Sequence, residues 1–385
     1  MSATSERDLA PDALRGFALL GILIANIPFL ALLSAEGARG VWLDGPANGT
    51  AAGLMIALVA GKFYILFAFL FGYSANYLIK GEQSNRGRWV RRSLALMLFG
   101  AIHFTFFWHG DILFLYGFFG LLLIPFLFRT DRTLKIWTRV IYSIFTVILV
   151  FAAASVVIFE RLLPEEVEFE VNNAMPLDDI MRDGSFAEAI APRLELWVLG
   201  IGTGILLQGG FVFAAFLFGL RAGRERLLSK PLEEMKLGRK IKVAFLIGLP
   251  LQVTGAVIAV LNEQSTKTSE GTYIFALVLC FVTAPLLTFG YVALFLRWMQ
   301  RGSRGVTWLR QGGRMSLTVY LSQSIVVSLI FAPWGLGLFQ EVPLWAVLLI
   351  AVGVWAVLVQ LSIYWLKRFD QGPLERVMHL LTKRR

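Results

Sequence analysis

Ten stretches of the chain stay apolar over roughly 17 to 25 residues, the length an α-helix needs to cross about 30 Å of hydrocarbon. Their cores run Leu14–Leu33, Phe63–Ile79, Val90–Trp108, Ile112–Phe128, Val140–Phe159, Leu196–Leu220, Val243–Leu261, Tyr273–Trp298, Leu317–Phe339 and Leu344–Leu366. A chain built this way is expected to be an all-α, polytopic integral membrane protein of about ten transmembrane helices. Composition agrees: 57% of the 385 residues are hydrophobic and 16% charged, against about 25% charged in a soluble domain. Ala51–Ile79 is too long for one untilted span, so Ala51–Ala60 reads as a lead-in at the outer interface or a tilted extension.

The net charge of +10 would suit nucleic acid if it formed one patch. Instead the basic residues alternate with the spans: with the amino terminus inside, thirty Lys and Arg fall on inner segments and five on outer ones. The positive-inside rule therefore puts both termini in the cytoplasm, and the scatter of the charges argues against nucleic acid. The first run is longer than a signal-peptide core and follows the mixed-charge Glu6-Arg7-Asp8, so it is expected to remain as an anchor. A single cysteine, Cys280, excludes an intramolecular disulfide and a thiolate metal cluster.

No repeat or linker divides the chain, which reads as one membrane domain over 1–385, with an extracytoplasmic loop at 160–195 and a short cytoplasmic tail at 367–385. Within the acidic outer loop, Ser185 and Glu188 have capping-box spacing, which predicts a short interfacial helix near Phe186. There is no Walker sequence, G-x-S-x-G elbow or H-E-x-x-H, which disfavours an ATP-driven pump, that type of serine hydrolase and a zincin. Gly200-Ile-Gly202-Thr-Gly204 lacks the strand context of a dinucleotide fold and reads as close helix packing.

Ionisable and polar groups at membrane depth are expensive, so those that occur are functional candidates. Asp12 and Arg15 stand three apart, placed to pair at the start of the first span, and Asn26 lies in its outer half. Lys62 and Tyr64 open the second span; Lys62 either snorkels to headgroups or holds an anion or acyl carbonyl oxygen. His103 and His109-Gly110-Asp111 occupy the hairpin between spans three and four. Asp111 two residues from His109 could fix the imidazole tautomer and make it a general base, or could simply N-cap the fourth helix, with His103 a hydrogen-bonded bundle residue. No metal is expected, since six residues put His103 and His109 about 240° apart on a helix. Arg193 is either an interfacial anchor paired with Glu195 or its acidic neighbours, or an anion clamp. From Arg314 through Gln323 to Ser324, hydroxyls and an amide punctuate the ninth span, as helix-to-helix glue or as ligand contacts.

The same residues carry a family resemblance. Asp12-Ala-Leu-Arg-Gly-Phe through Asn26, Lys62-Phe-Tyr through Gly72, His103, His109-Gly-Asp, Gly184-Ser-Phe-Ala-Glu with Arg193, Gly313-Arg-Met-Ser-Leu-Thr-Val-Tyr and Gly372-Pro-Leu-Glu375 together resemble the YeiB-like bacterial membrane proteins, defined by a domain of unknown function. That family looks like a distant relative of transmembrane acyltransferases, including the lysosomal heparan glucosaminide acetyltransferase. The resemblance implies acyl transfer from a cytoplasmic acyl-CoA to an extracytoplasmic or lipid-linked acceptor such as a glycan, with acyl-CoA a co-substrate and no bound cofactor. It places Asn26 at the transfer site. The lysosomal enzyme's loop histidine has no counterpart between Asn26 and Lys62, so its role is missing here or moved to His109. Arg91, Arg92 and Arg314 in the basic inner loops would attract the donor phosphates, Asn26 and Lys62 would stabilise the oxyanion, and Arg15, Tyr64, His103, Arg193 and Gln323 complete the substrate-binding set. A transporter or flippase for an envelope metabolite and a noncatalytic envelope scaffold are the competing readings, and a homodimer is compatible with all three.

Overall fold

A computed structural model describes residues 9–162, 175–230, 237–300 and 304–383, so Glu165, Glu166, Glu168 and Glu170 of the acidic loop lie outside the described residues. The described residues are helical, with one isolated bridge between Leu33 and Gly37 and no strand. In chain order the helices are α1 (Leu9–Asn26), α2 (Pro28–Ala31), α3 (Gly45–Leu58), α4 (Lys62–Ile79), α5 (Arg86–Phe106) and α6 (Leu113–Leu122). Next come α7 (Asp131–Leu162), α8 (Pro176–Asp183), α9 (Ile190–Gly204), α10 (Gly210–Arg224), α11 (Leu237–Val243) and α12 (Leu249–Glu263). The last are α13 (Glu270–Met299), α14 (Arg304–Arg314), α15 (Ser316–Phe331), α16 (Leu344–Leu366) and α17 (Pro373–Thr382). A single π-helical turn joins α9 to α10 at Ile205–Gly209 and α11 to α12 at Ala244–Gly248.

Among the described residues, seven helical stretches are long and apolar enough to cross a membrane, or eight if the bent pair α14 and α15 is one span, against the ten expected. The shortfall has local causes. Val90–Trp108 falls on α5, whose first turns carry Arg86, Arg88, Arg91 and Arg92. Ile112–Phe128 gives only the ten-residue α6 before a 3₁₀ turn at Ile124–Phe126, where Pro125 has no N–H to continue the ladder. Leu317–Phe339 stops at Phe331 because Ala332, which precedes Pro333, is extended, and α14 meets α15 at 82°.

Ala51–Ala60 belongs to a helix of its own, α3, which breaks before α4 at Gly61, where φ is +84° and a side chain would be strained. Lys62 fills the break: its Nζ donates to the carbonyls of Ile56 and Ala60, each at 2.7 Å, orphans of the α3 C-terminus. Elsewhere small residues bring backbones together. A Cβ at Gly72 would strike the Phe216 carbonyl and one at Gly219 that of Phe69, so α4 and α10 form the most extensive helix pair. Between α1 and α14, Gly16 faces the Leu309 carbonyl and Gly313 that of Asp12. The run at Gly200 and Gly204 rests on the Phe104 and Leu115 side chains, consistent with packing. Helix α7 stands at the rim, with 11% of its most apolar window buried.

Beyond α8, the capping box forms as spaced: the Ser185 N–H and Oγ donate to Glu188 Oε2 at 2.7 and 2.8 Å. It starts a turn over residues 186–189 that runs into α9, so no separate helix forms at Phe186.

Candidate functional site

At the end of the bundle where α1 begins, a cavity of about 510 Å³ is enclosed by α1, α4, α5, α6, α14, α15 and α17. Arg15, Arg92 and Arg314 reach it at its charged end, and Tyr116, Tyr320 and Leu113 wall its depth. Arg15 pairs with Asp12 at 2.8 Å, as the three-residue spacing predicts. Arg314 donates to Gln311 Oε1 at 3.2 Å and to the Asp370 carbonyl at 3.0 Å. Arg92 is different: its guanidinium lies 5.2 Å from the Phe71 ring centroid and 6.0 Å from that of Trp89. Its Nε has no hydrogen-bond partner among the described residues. A cation on aromatic faces without a carboxylate suits an anion. Glu375, also in the wall, is committed elsewhere: it accepts from the N–H groups of Leu317 and Thr318 and from Thr318 Oγ1 at 2.6 Å, holding the α15 N-terminus.

Tyr320 links the cavity to a buried pair. Its ring centroid is 5.4 Å from that of His103, whose Nδ1 lies 2.7 Å from Asp111 Oδ2. The other Asp111 oxygen accepts from the Phe114 N–H at 2.9 Å, so this carboxylate both caps α6 and orients an imidazole. Both side chains are sealed, at 1% and 0% exposure. His103 Nε2 is buried without a partner among the described residues. With Asp111 ionised, Nδ1 carries the proton and Nε2 presents a lone pair, the tautomer of a general base.

This corrects the pairing expected of His109. The chain leaves α5 at Phe106 and turns back, so His103, in the last turn of α5, faces Asp111, while the His109 ring swings away. His109 Nε2 instead donates to the Ser34 carbonyl at 2.6 Å, and burial pushes its pKa down to about 4, so it is neutral. The Ser34 N–H donates to Asp178 Oδ1 at 2.8 Å, tying hairpin, α2 loop and α8 together. Arg193, 1% exposed, donates to the Phe106 carbonyl at 2.8 Å and lies over Trp334 rather than pairing with Glu195, which is exposed.

The remaining candidates are spread out. Lys62 is held by the α3 carbonyls. The Tyr64 hydroxyl is buried without a partner among the described residues, and its carbonyl accepts from Tyr116 Oη at 2.9 Å. Gln323 donates to the Leu19 carbonyl at 3.2 Å, joining α15 to α1 as glue. Asn26 is the last residue of α1, half-buried. Cys280 packs buried against Gln252. Sequence reasoning took Tyr320 only as one hydroxyl of the ninth span and Asp178 only as part of the acidic loop: a tyrosine inside an apolar span and an aspartate in an acidic loop look like their neighbours until the fold pairs them. Among the described residues no three His, Cys, Asp or Glu converge as a metal site.

Fold and site together define an all-helical, polytopic membrane protein with an arginine-mouthed cavity and a sealed histidine–aspartate pair. Residues 222–385 match the family described as "Protein of unknown function (DUF418)". Nearly the whole chain is similar to YxaH of Bacillus subtilis, at 29% identity over 97% of this chain and 93% of that protein. YeiB of Escherichia coli matches at 28% identity, over 98% and 97%. A 39.9 kDa protein of Bacillus acidopullulyticus also matches at 28%, over 100% and 96%. The YeiB-like resemblance is thereby borne out. All three relatives are described as uncharacterised, so the chemistry rests on the residues.

Proposed function

We propose that this chain is an acyltransferase of the bacterial plasma membrane, with both termini cytoplasmic and about ten crossings, α5 and α6 traversing as a hairpin. The observation that carries it is the buried His103–Asp111 pair, its Nε2 without a partner among the described residues, packed behind Tyr320, which lines a cavity whose mouth holds Arg15, Arg92 and Arg314. The phosphates of a cytoplasmic acyl-CoA would sit on those arginines, Arg92 supplying the uncommitted charge, with the thioester toward Tyr320. An acceptor hydroxyl or amine gives its proton to His103 Nε2 as it attacks the thioester carbonyl. The C–S bond breaks, and the proton passes to the departing thiolate. Lys62 and His109 are assigned to holding backbone, given their present partners.

The test is native mass spectrometry of the detergent-purified protein with acetyl-CoA, scored for binding and for CoA release. His103→Ala should retain binding and lose release by at least about 100-fold, Arg92→Gln should weaken binding, and His109→Asn should keep release. Undiminished release from folded His103→Ala refutes the mechanism. A transporter is the second reading, favoured by the helix break at Gly61 beside the buried Lys62; uptake into proteoliposomes without covalent product would select it.

A further inference from the structure

A second pocket, of about 340 Å³, lies between α4, α10, α11 and α13 and shares no residue with the arginine-mouthed cavity. Its walls include Phe69, Phe218, Leu286 and Leu296, and among the described residues the only polar side chains lining it are Arg239 and Lys240. It opens on the flank of the bundle, where Leu246 is 74% and Phe289 38% exposed, a surface that hydrocarbon covers in a membrane-crossing bundle. Neither basic residue has an ion pair among the described residues. The carboxylate at the end of neighbouring α10, Glu225, is already taken by Arg221 at 3.0 Å and Lys230 at 3.9 Å.

We infer that this pocket is a binding site for an anionic phospholipid, its acyl chain between α4, α10 and α13 and its headgroup phosphate on Arg239 and Lys240. The chemistry is complementary at both ends. Basic side chains at the rim of an apolar crevice between helices recognise a phosphate that is attached to a chain. A soluble phosphate would gain nothing from phenylalanine walls, and a zwitterionic lipid would gain little from two cations that have no carboxylate among the described residues. The π-helical turn at Ala244–Gly248 begins four residues after Lys240, and Val243 and Ala244 line the pocket. An interrupted helix ladder at this point sets the angle between the rim and the wall. The inference is independent of the acyl-transfer reading.

The test uses the full chain, delipidated in detergent, by native mass spectrometry with phosphatidylglycerol and phosphatidylcholine of identical acyl chains, and with glycerol 3-phosphate as competitor. Wild type should retain phosphatidylglycerol about tenfold better than phosphatidylcholine, and glycerol 3-phosphate should not displace it. Arg239→Gln with Lys240→Gln should abolish the preference, and Ala293→Trp should lower retention of both lipids with the charges intact. Equal retention of the two lipids by wild type overturns the proposal, as does an unchanged preference in the charge variant. Displacement by glycerol 3-phosphate would mark a site for the phosphate alone and overturns it too. Because Arg239 and Lys240 are exposed, the charge variant decides the matter even where Ala293→Trp does not fold.

Discussion

Removing the Asp111 carboxylate should be the most costly single change in the α5–α6 hairpin. In Asp111→Ala two buried donors lose their acceptor, the His103 Nδ1–H at 2.7 Å and the Phe114 N–H at 2.9 Å. An orphaned buried donor costs about 1 to 3 kcal/mol, so losing the acceptor of both should cost about 2 to 6 kcal/mol. His103→Ala strands the same carboxylate with only the Phe114 N–H, so it should cost a similar amount. In the double variant neither group remains to be stranded, and the cost should fall short of the sum by about 2 to 3 kcal/mol, within the range seen for contacting residues. His109 bonds to Ser34 and not to Asp111, so the cycle pairing His109→Ala with Asp111→Ala should be additive within about 0.5 kcal/mol. Denaturant-induced unfolding of the four proteins of each cycle, in mixed micelles and followed by tryptophan fluorescence, measures both couplings. A His103–Asp111 coupling below about 0.5 kcal/mol, or a larger one between His109 and Asp111, would refute the geometry on which the site rests.

Acid should destabilise the protein through His109. Its folded pKa, about 4, lies below the ordinary 6.5, so between those values the unfolded chain binds the extra proton and stability falls as pH drops through that window. At pH 4 the loss is on the order of 3 kcal/mol, and His109→Asn should flatten this slope in unfolding measured from pH 7 to 4. Gly313→Ala drives a methyl into the Asp12 carbonyl and should cost about 1 to 3 kcal/mol. Gly202→Ala meets nothing within 4 Å and should be neutral or stabilise by up to about 1 kcal/mol, read from thermal unfolding of the two variants side by side. Glu375→Ala removes the carboxylate at the α15 N-terminus and should cost about 1 to 2 kcal/mol, with faster proteolysis of α17 as the diagnostic sign.

Length and apolarity made the long helices legible: α7, α13 and α16 fall where the runs predict them, α13 continuing through Pro285. Breaks were less legible. A glycine among apolar residues reads as packing, and only the fold shows that Gly61 takes a positive φ and ends α3 while Gly72 remains helical against Phe216. At the site, i to i+3 relations such as Asp12 with Arg15 were visible, since one helix turn decides them. The partner of Asp111 was not, because the nearest histidine in sequence sits on a turn that rotates its ring away, whereas the more distant one shares the hairpin interface. The arginines were legible as topology, yet their convergence needed the approach of α1, α5 and α14 at small residues.

The wall contributed by Glu375 and Met378 has a bearing on biosynthesis. The arginine-mouthed cavity is enclosed by Pro11, Asp12 and Arg15 on one side and by α17 on the other, so its two halves leave the ribosome more than 350 residues apart. At about 5 to 20 residues per second, that is on the order of half a minute. Throughout that interval the nascent chain carries its early arginines and glycine-faced helices into the bilayer with no completed chamber, and α15 lacks the carboxylate that receives its first N–H groups. The chamber is thus a late product of assembly. Chains stalled before residue 372 should insert yet hold no ligand there, which protects the membrane from a half-built site.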